Sequence, residues 1–177
     1  MSDRAFAERC QALRLLLTDV DGVMTDGRIH MFSGGIEGRS FHARDGLALA
    51  IAREAGLRTG ILSGRESEVV RLRARELRMD VIREGAKDKG KVFREILAEE
   101  NLEPRHVAYL GDDVNDIPVL AMAGLSGVPK DAPFEVRSEA FMVLESTGGT
   151  GCVREFVEAI LRARGEWDRV TSSLFPR

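Results

Sequence analysis

Asp19 and Asp21 stand one residue apart, after the apolar run Leu15-Leu16-Leu17 and just ahead of Gly22. Side chains alternate along a strand, so both carboxylates leave it on the same side. Two acids at the exit of a buried strand suit three tasks: holding a divalent cation, attacking an electrophile, and giving or taking a proton. The pair alone says little, because Asp-x-Asp occurs in many loops. Three further stations follow it. They are Ser63 in Gly60-Ile61-Leu62-Ser63-Gly64-Arg65, Lys89 in Ala86-Lys87-Asp88-Lys89-Gly90-Lys91, and Gly111-Asp112-Asp113-Val114-Asn115-Asp116. A hydroxyl, an ammonium and a second set of carboxylates read together as a site for phosphate and Mg²⁺.

These stations need a scaffold that brings strand ends together. Short apolar runs alternate with longer amphipathic stretches. Strands are expected at 14–19, 58–62, 80–82, 106–110, 125–128 and 140–143. Helices are expected at about 45–56, 66–78, 88–101, 115–123 and 152–164, with Gly56 and Gly124 placed as helix-terminating glycines. Such alternation predicts an α/β fold, a doubly wound parallel sheet of Rossmann type covered by helices on both faces. Ligands of such sheets bind beyond the carboxyl ends of the strands, where each station falls except Lys89, which opens a helix. Residues 28–41 break the pattern. They read as two strands around Ser33-Gly34-Gly35, a hairpin standing beside the two aspartates as a flap.

Composition narrows the class. A chain of 177 residues, 44% hydrophobic and 31% charged with net charge −3, reads as one globular domain spanning 1–177. It lacks the basic excess of a nucleic-acid binder, and no apolar run reaches the roughly 20 residues of a membrane span. Its N-terminal residues lack an apolar signal core, which points to the cytoplasm. Cys10 and Cys152 make neither a disulfide framework nor a Cys/His metal cluster. Only four of the 26 basic residues are lysine, so Lys87, Lys89 and Lys91 draw notice.

The order and chemistry of the four stations resemble the haloacid dehalogenase superfamily over nearly the whole chain. The resemblance implies that Asp19 is a nucleophile forming an aspartyl phosphate, and that Asp21 is the general acid and then the base. An acid at this second position marks the superfamily's phosphatases. Ser63 and Lys89 would steady the transferring phosphoryl group. Mg²⁺ would be held by Asp19, Asp112 and the main-chain carbonyl of Asp21. Asp116 would pair with Lys89, while Asp113 and Asn115 stand equally as supports of the site or as helix caps.

Only 41 residues separate Asp21 from Ser63 and 25 separate Ser63 from Lys89, which leaves no room for a cap domain. An open site must be shielded by a large substrate or by neighbouring subunits. The cap-less pattern resembles the subfamily of 3-deoxy-D-manno-octulosonate 8-phosphate (KDO 8-phosphate) phosphatases. The likeness rests on Asp19-Val20-Asp21-Gly22-Val23, Asp26-Gly27, Phe41-His42-Ala43-Arg44-Asp45-Gly46, Ser63-Gly64-Arg65, Gly111-Asp112-Asp113 and Gly148-Gly149-Thr150-Gly151. It implies a homotetramer with hairpins at its centre, and a sugar acid phosphate as substrate, whose product would feed lipopolysaccharide synthesis. Arg65 is the candidate for the substrate carboxylate, and the loop His42, Ala43, Arg44, Asp45, Gly46 for the sugar. Arg73 is either a further substrate arginine or part of a solvated basic helix, and Asp45 either a contact or the N-cap of the helix that follows.

His42 and Thr150 depart from the subfamily, which often has Asn and Arg there. Residues 124–134 also resemble relatives that act on nine-carbon sugar acid phosphates. Those tend to carry Glu where Arg65 stands, which favours the eight-carbon ester. Non-catalytic tetramerisation modules of the superfamily have lost catalytic carboxylates, and here all stations are intact. A phosphoacceptor signalling domain would need neither Asp21 nor the hairpin. The tail 165–177, with Trp167 and Phe175, either frays or docks on a neighbour.

Overall fold

A computed structural model describes residues 3–176. Its centre is a six-stranded parallel sheet of β1 (Leu15–Thr18), β4 (Arg58–Leu62), β5 (Val81–Arg83), β6 (Val107–Leu110), β7 (Leu125–Val128) and β8 (Met142–Val143). The strands lie side by side in the order β5-β4-β1-β6-β7-β8. Strand β1 sits between β4 and β6, with Leu15 level with Arg58 and Val107, and Thr18 level with Ile61 and Leu110. From β1 the chain first builds outward through β4 and β5, then returns to lay β6, β7 and β8 on the other side. The reversal puts the crevice between the ends of β1 and β6, where such sheets bind ligands.

The unbroken apolar run of β1 follows from burial on both sides. Leu16 faces a core built with α1 (Asp3–Ala12), α2 (Ala43–Glu54), α3 (Glu68–Glu76), α7 (Cys152–Ala163) and α8 (Trp167–Leu174). Leu15 and Leu17 face the other core, with Phe93 and Ile96 of α4 (Lys89–Glu99), Val119 and Leu120 of α5 (Ile117–Met122) and Val136 of α6 (Phe134–Arg137). On β6, Ala108 and Leu110 join the first core while Val107 and Tyr109 join the second. No helix among the described residues is long and apolar enough to cross a membrane.

The expected strands are all present, some trimmed by a residue or two. Three helices were not anticipated. Helix α1 buries little beyond Cys10, with Phe6 packed against the core, and α6 is a single turn. Helix α8 occupies the tail. Trp167 is buried against its own chain, with the guanidinium carbons of Arg154 and Arg162 at 4.5 and 5.5 Å from its ring centre. Phe175 stays exposed, and residue 177 of the tail lies outside the described residues.

Gly56 ends α2 with φ +79°, as a helix-terminating glycine should. Gly124 follows α5 for another reason: a Cβ there would collide with the Arg105 backbone. The hairpin is smaller than the sequence suggests. Only β2 (His30–Met31) and β3 (Glu37–Gly38) pair, as His30 with Gly38 and Met31 with Glu37, around a tight turn at Ser33–Gly35. Met31, Phe32 and Ile36 on this hairpin are exposed. Between β1 and β4 lie only the hairpin and α2, so no cap domain is inserted.

Candidate active site

Asp19 is the first residue past β1, and its N–H still extends the ladder by donating to the Leu110 carbonyl at 2.8 Å. Its carboxylate lies at the crevice floor, 3.0 Å from the Lys89 ammonium. Lys89 is the first residue of α4, which is capped by Asp88 accepting from Lys91 N–H at 2.8 Å. The lysine runs inward rather than into solvent, and its ammonium also donates to Asp116 Oδ1 at 2.6 Å. Lys91 points outward to Glu95 instead, so burial alone separates it from Lys89.

Asp116 is saturated. Tyr109 donates its hydroxyl to the same Oδ1, and the N–H groups of Asp112 and Asp113 donate to Oδ2 at 3.0 and 3.2 Å. Asp112 is different: its Oδ1 is buried and has no hydrogen-bond partner. The carboxylates of Asp19, Asp112 and Asp116 approach within 4.8 Å of one another. With Asp116 fully occupied, Asp19 and Asp112 are the two free to receive a cation. Burial pushes the Asp19 carboxyl up to about 6, against the pull of Lys89. Burial, then the charges of Asp19 and Asp116, push Asp112 up to about 8. Burial lowers the pKa of Lys89, but Asp19 and Asp116 outweigh it and raise the pKa overall. Two crowded, desolvated carboxylates with an orphaned oxygen fit a hard divalent cation, which relieves their repulsion and fills the vacant acceptor.

Gly22 makes that closeness possible. Its φ is +92°, and a Cβ on it would sit inside the Asp112 carboxylate. Ser63 follows β4, buried, with its hydroxyl oxygen accepting from Arg65 N–H at 3.3 Å. Asp19, Asp21, Ser63, Gly64, Arg65, Asp112, Asp113 and Asn115 line one cleft of about 170 Å³. That is below the roughly 300–1,000 Å³ typical of sites for whole small-molecule ligands. A cleft of that size has room for only one end of a larger ligand. Asp113 also caps the short turn Val114–Asp116 by accepting from Val114 N–H at 2.7 Å, so lining and capping coexist.

The other expected residues do not reach this cleft. His42 and Arg44 line a separate groove of about 440 Å³ beside the start of α7. Asp45 is buried and accepts from Arg154 N–H at 2.8 Å, so it caps α7 rather than α2. Ala43 merely opens α2. Gly46 gives room for the Arg73 guanidinium, which a Cβ there would strike. Arg73 pairs with Glu76 at 2.9 Å and lies over the Phe41 ring, away from the cleft and not free in solvent either.

One residue bonded to the cleft's Asp21 had no sequence signal. Arg39, just beyond β3, forks onto Asp21, with Nε to Oδ1 at 2.6 Å and Nη2 to Oδ2 at 3.1 Å. Its Nη1 donates to Glu37 at 2.5 Å and to Ser67 Oγ at 2.8 Å. Glu37 in turn lies 3.7 Å from the Arg65 guanidinium. The pairing spans 18 residues, and nothing in a two-residue strand foretells it.

A doubly wound sheet with paired aspartates past its central strand, and a lysine bridging the first of them to a third aspartate, defines a haloacid dehalogenase-like hydrolase. A family model of that description, "haloacid dehalogenase-like hydrolase", matches residues 38–124. The KDO 8-phosphate phosphatase of Haemophilus influenzae is 34% identical over 90% of this chain and 88% of its own length. That of Escherichia coli K12 is 35% identical over 90% of this chain and 85% of its own. Among solved structures, a KDO 8-phosphate phosphatase from Moraxella catarrhalis in complex with magnesium, phosphate and KDO superimposes with TM-score 0.92 at 31% identity, covering 96% of this chain and 97% of that one. A probable YrbI family phosphatase from Pseudomonas syringae gives TM-score 0.94 at 36% identity, covering 98% and 99%. The chain belongs to the KDO 8-phosphate phosphatase family of phosphoric monoester hydrolases.

Proposed function

We propose that this chain is a Mg²⁺-dependent phosphatase that hydrolyses KDO 8-phosphate to KDO and inorganic phosphate. The observation that carries the reading is the placement of Asp19 beside Asp112 and under Lys89, at the switch point of the sheet. The substrate comes from the relatives, whose length and fold this chain shares. Arg65 lines the cleft more than half exposed, available to a second anionic group on the substrate.

In this reading an Asp19 oxygen attacks phosphorus, the bond from phosphorus to the sugar oxygen breaks, and Asp21 gives that oxygen its proton. Asp21 then takes a proton from water, whose oxygen attacks the aspartyl phosphate and returns Asp19 as a carboxylate. Lys89 and the Ser63 hydroxyl face the charge that builds on the phosphoryl oxygens. Mg²⁺, held by the carboxylates of Asp19 and Asp112 with the Asp21 carbonyl, would draw further charge from those oxygens. Asp113, Asn115 and Asp116 support the loop that carries Asp112.

The small open cleft and the exposed Met31, Phe32 and Ile36 support a homotetramer in which neighbours cover the sugar through their hairpins. Residues 1–177 would act as one domain in the cytoplasm, supplying lipopolysaccharide synthesis. The test is phosphate release with Mg²⁺ from KDO 8-phosphate and 2-keto-3-deoxynononate 9-phosphate side by side, with Asp19→Asn as control. A higher kcat/KM for the eight-carbon ester, lost in the variant, supports the reading. Preference for the nine-carbon ester overturns the substrate, and release from neither overturns the class of ester.

A further inference from the structure

Arg39, which the reaction above does not use, grips Asp21 of the cleft. The Asp21 carboxylate sits on a loop past the strand end, beside the left-handed Gly22. Among the described residues its side-chain hydrogen bonds come from Arg39 alone. Asp19, in contrast, follows β1 directly, and Asp112 is the second residue past β6. Asp21 therefore depends on its partner for position, and an ångström of misplacement is enough to cost a proton-transfer group much of its effect.

Arg39 is suited to that task. A guanidinium fork is planar and meets both carboxylate oxygens at once, which an ammonium cannot do. Its own place is over-determined: the side chain has no solvent exposure, and its remaining nitrogen is anchored to Glu37 and Ser67. Ser67 stands at the start of α3, with its N–H held by Glu84 Oε1 at 2.8 Å. Glu37 belongs to the hairpin rung. Asp21 is thus tied to the hairpin on one side and to α3 on the other.

We propose that Arg39 is a positioning residue of the phosphatase reaction, which holds Asp21 where the leaving oxygen departs and couples that place to the hairpin. This rests on the reading of Asp21 as the acid and base of the cycle. Loss of Arg39 then leaves Asp19, Lys89 and Asp112 able to cleave an ester whose leaving group needs no proton. An alkyl ester, whose alkoxide does need one, is cleaved slowly.

The experiment compares KDO 8-phosphate with p-nitrophenyl phosphate, in the full chain with Mg²⁺, for Arg39→Met, Arg39→Lys, Asp21→Asn and the Arg39→Met/Asp21→Asn double variant. Arg39→Met is expected to lower kcat on the sugar ester about 10- to 100-fold, the scale of lost support to a reacting group, with a smaller change in KM. The first turnover of the nitrophenyl ester, read as a burst of nitrophenolate, should be nearly unaffected, whereas its steady turnover slows because the aspartyl phosphate still needs Asp21 as base. Arg39→Lys should recover part of the loss, and the double variant should be no slower than Asp21→Asn alone. Equal loss in the first turnover of both esters, or no loss on either, overturns the proposal. Equal loss in the first turnover of both esters in Asp21→Asn overturns the reading of Asp21 as the acid and the proposal with it. Arg39→Met brings Asp21 and Glu37 together without a cation; should it fail to fold, Ser67→Ala, which removes one anchor of Arg39, must show the same selective loss or the proposal falls.

Discussion

The Lys89 ammonium and Asp116 Oδ1 lie 2.6 Å apart, both side chains without solvent exposure. Asp116 also accepts from the Tyr109 hydroxyl and from the backbone of the Asp112 turn, so this carboxylate ties the lysine to that turn. The lysine's other contact is Asp19. With Asp19 as the proposed nucleophile, this buried pair would serve both stability and chemistry.

Lys89→Met separates the two. It keeps the side chain's bulk and removes the charge, leaving Asp19 and Asp116 to repel. Breaking such a pair costs about 3–5 kcal/mol of stability, and losing charge stabilisation of the transition state lowers kcat by roughly 10²- to 10³-fold. Urea unfolding and phosphate release measure the two effects. An unchanged kcat in a folded variant would remove Lys89 from the reaction.

Metal should stabilise the native chain and leave one variant unmoved. In the native chain Mg²⁺ relieves the Asp19–Asp112 repulsion, so it raises Tm, by about 2.7 kcal/mol of stability at a hundredfold excess over Kd. Asp112→Asn removes that repulsion outright. The variant should melt higher than the native protein in EDTA, gain nothing from Mg²⁺, and release no phosphate. Native protein should lose phosphate release in EDTA and regain it with Mg²⁺.

Asp45 separates a cap from a substrate contact. Asp45→Asn keeps an oxygen for Arg154 N–H and should keep kcat/KM, whereas Asp45→Ala should lose about 0.5–2 kcal/mol of stability. Burial raises the pKa of Asp45 against its hydrogen bonds from the α7 backbone. The folded state therefore holds this proton more tightly than the unfolded one. Its contribution falls as pH rises from the unfolded value near 3.9 through the raised folded value, and is level above that. Asn does not titrate, so Tm of Asp45→Asn relative to native should be more favourable at pH 7 than at pH 4.

Trp167 tests where the tail belongs. Trp167→Ala should cost about 3–5 kcal/mol in urea unfolding, because the ring fills a site on its own subunit between Arg154 and Arg162. Sedimentation of the variant should show the native oligomer. A dispersed oligomer with unchanged subunit stability would mean that the ring docks on a neighbour.

The catalytic stations were legible because a parallel sheet announces itself locally. Leu15-Leu16-Leu17 ahead of Asp19, and Val107-Ala108-Tyr109-Leu110 ahead of Asp112, are apolar runs whose ends must lie together once the strands pair. Lys89 was separable from Lys87 and Lys91 by resemblance, and burial is the physical reason. What escaped was set by long-range partners. Arg39 gains its meaning from Asp21 and Ser67, Asp45 from a helix more than a hundred residues away, and Arg73 from the space above Gly46. Helix α1 was missed because so short a segment with few apolar residues carries little period to read.

The 170 Å³ cleft sets the terms for anyone designing an inhibitor. A compound that fills only this space meets carboxylates, a buried ammonium and a hydroxyl, the equipment of phosphate chemistry in general. It would imitate phosphate and share phosphate's lack of discrimination among enzymes. Selectivity has to be sought beyond the cleft, past Arg65 in its wall and along the hairpin.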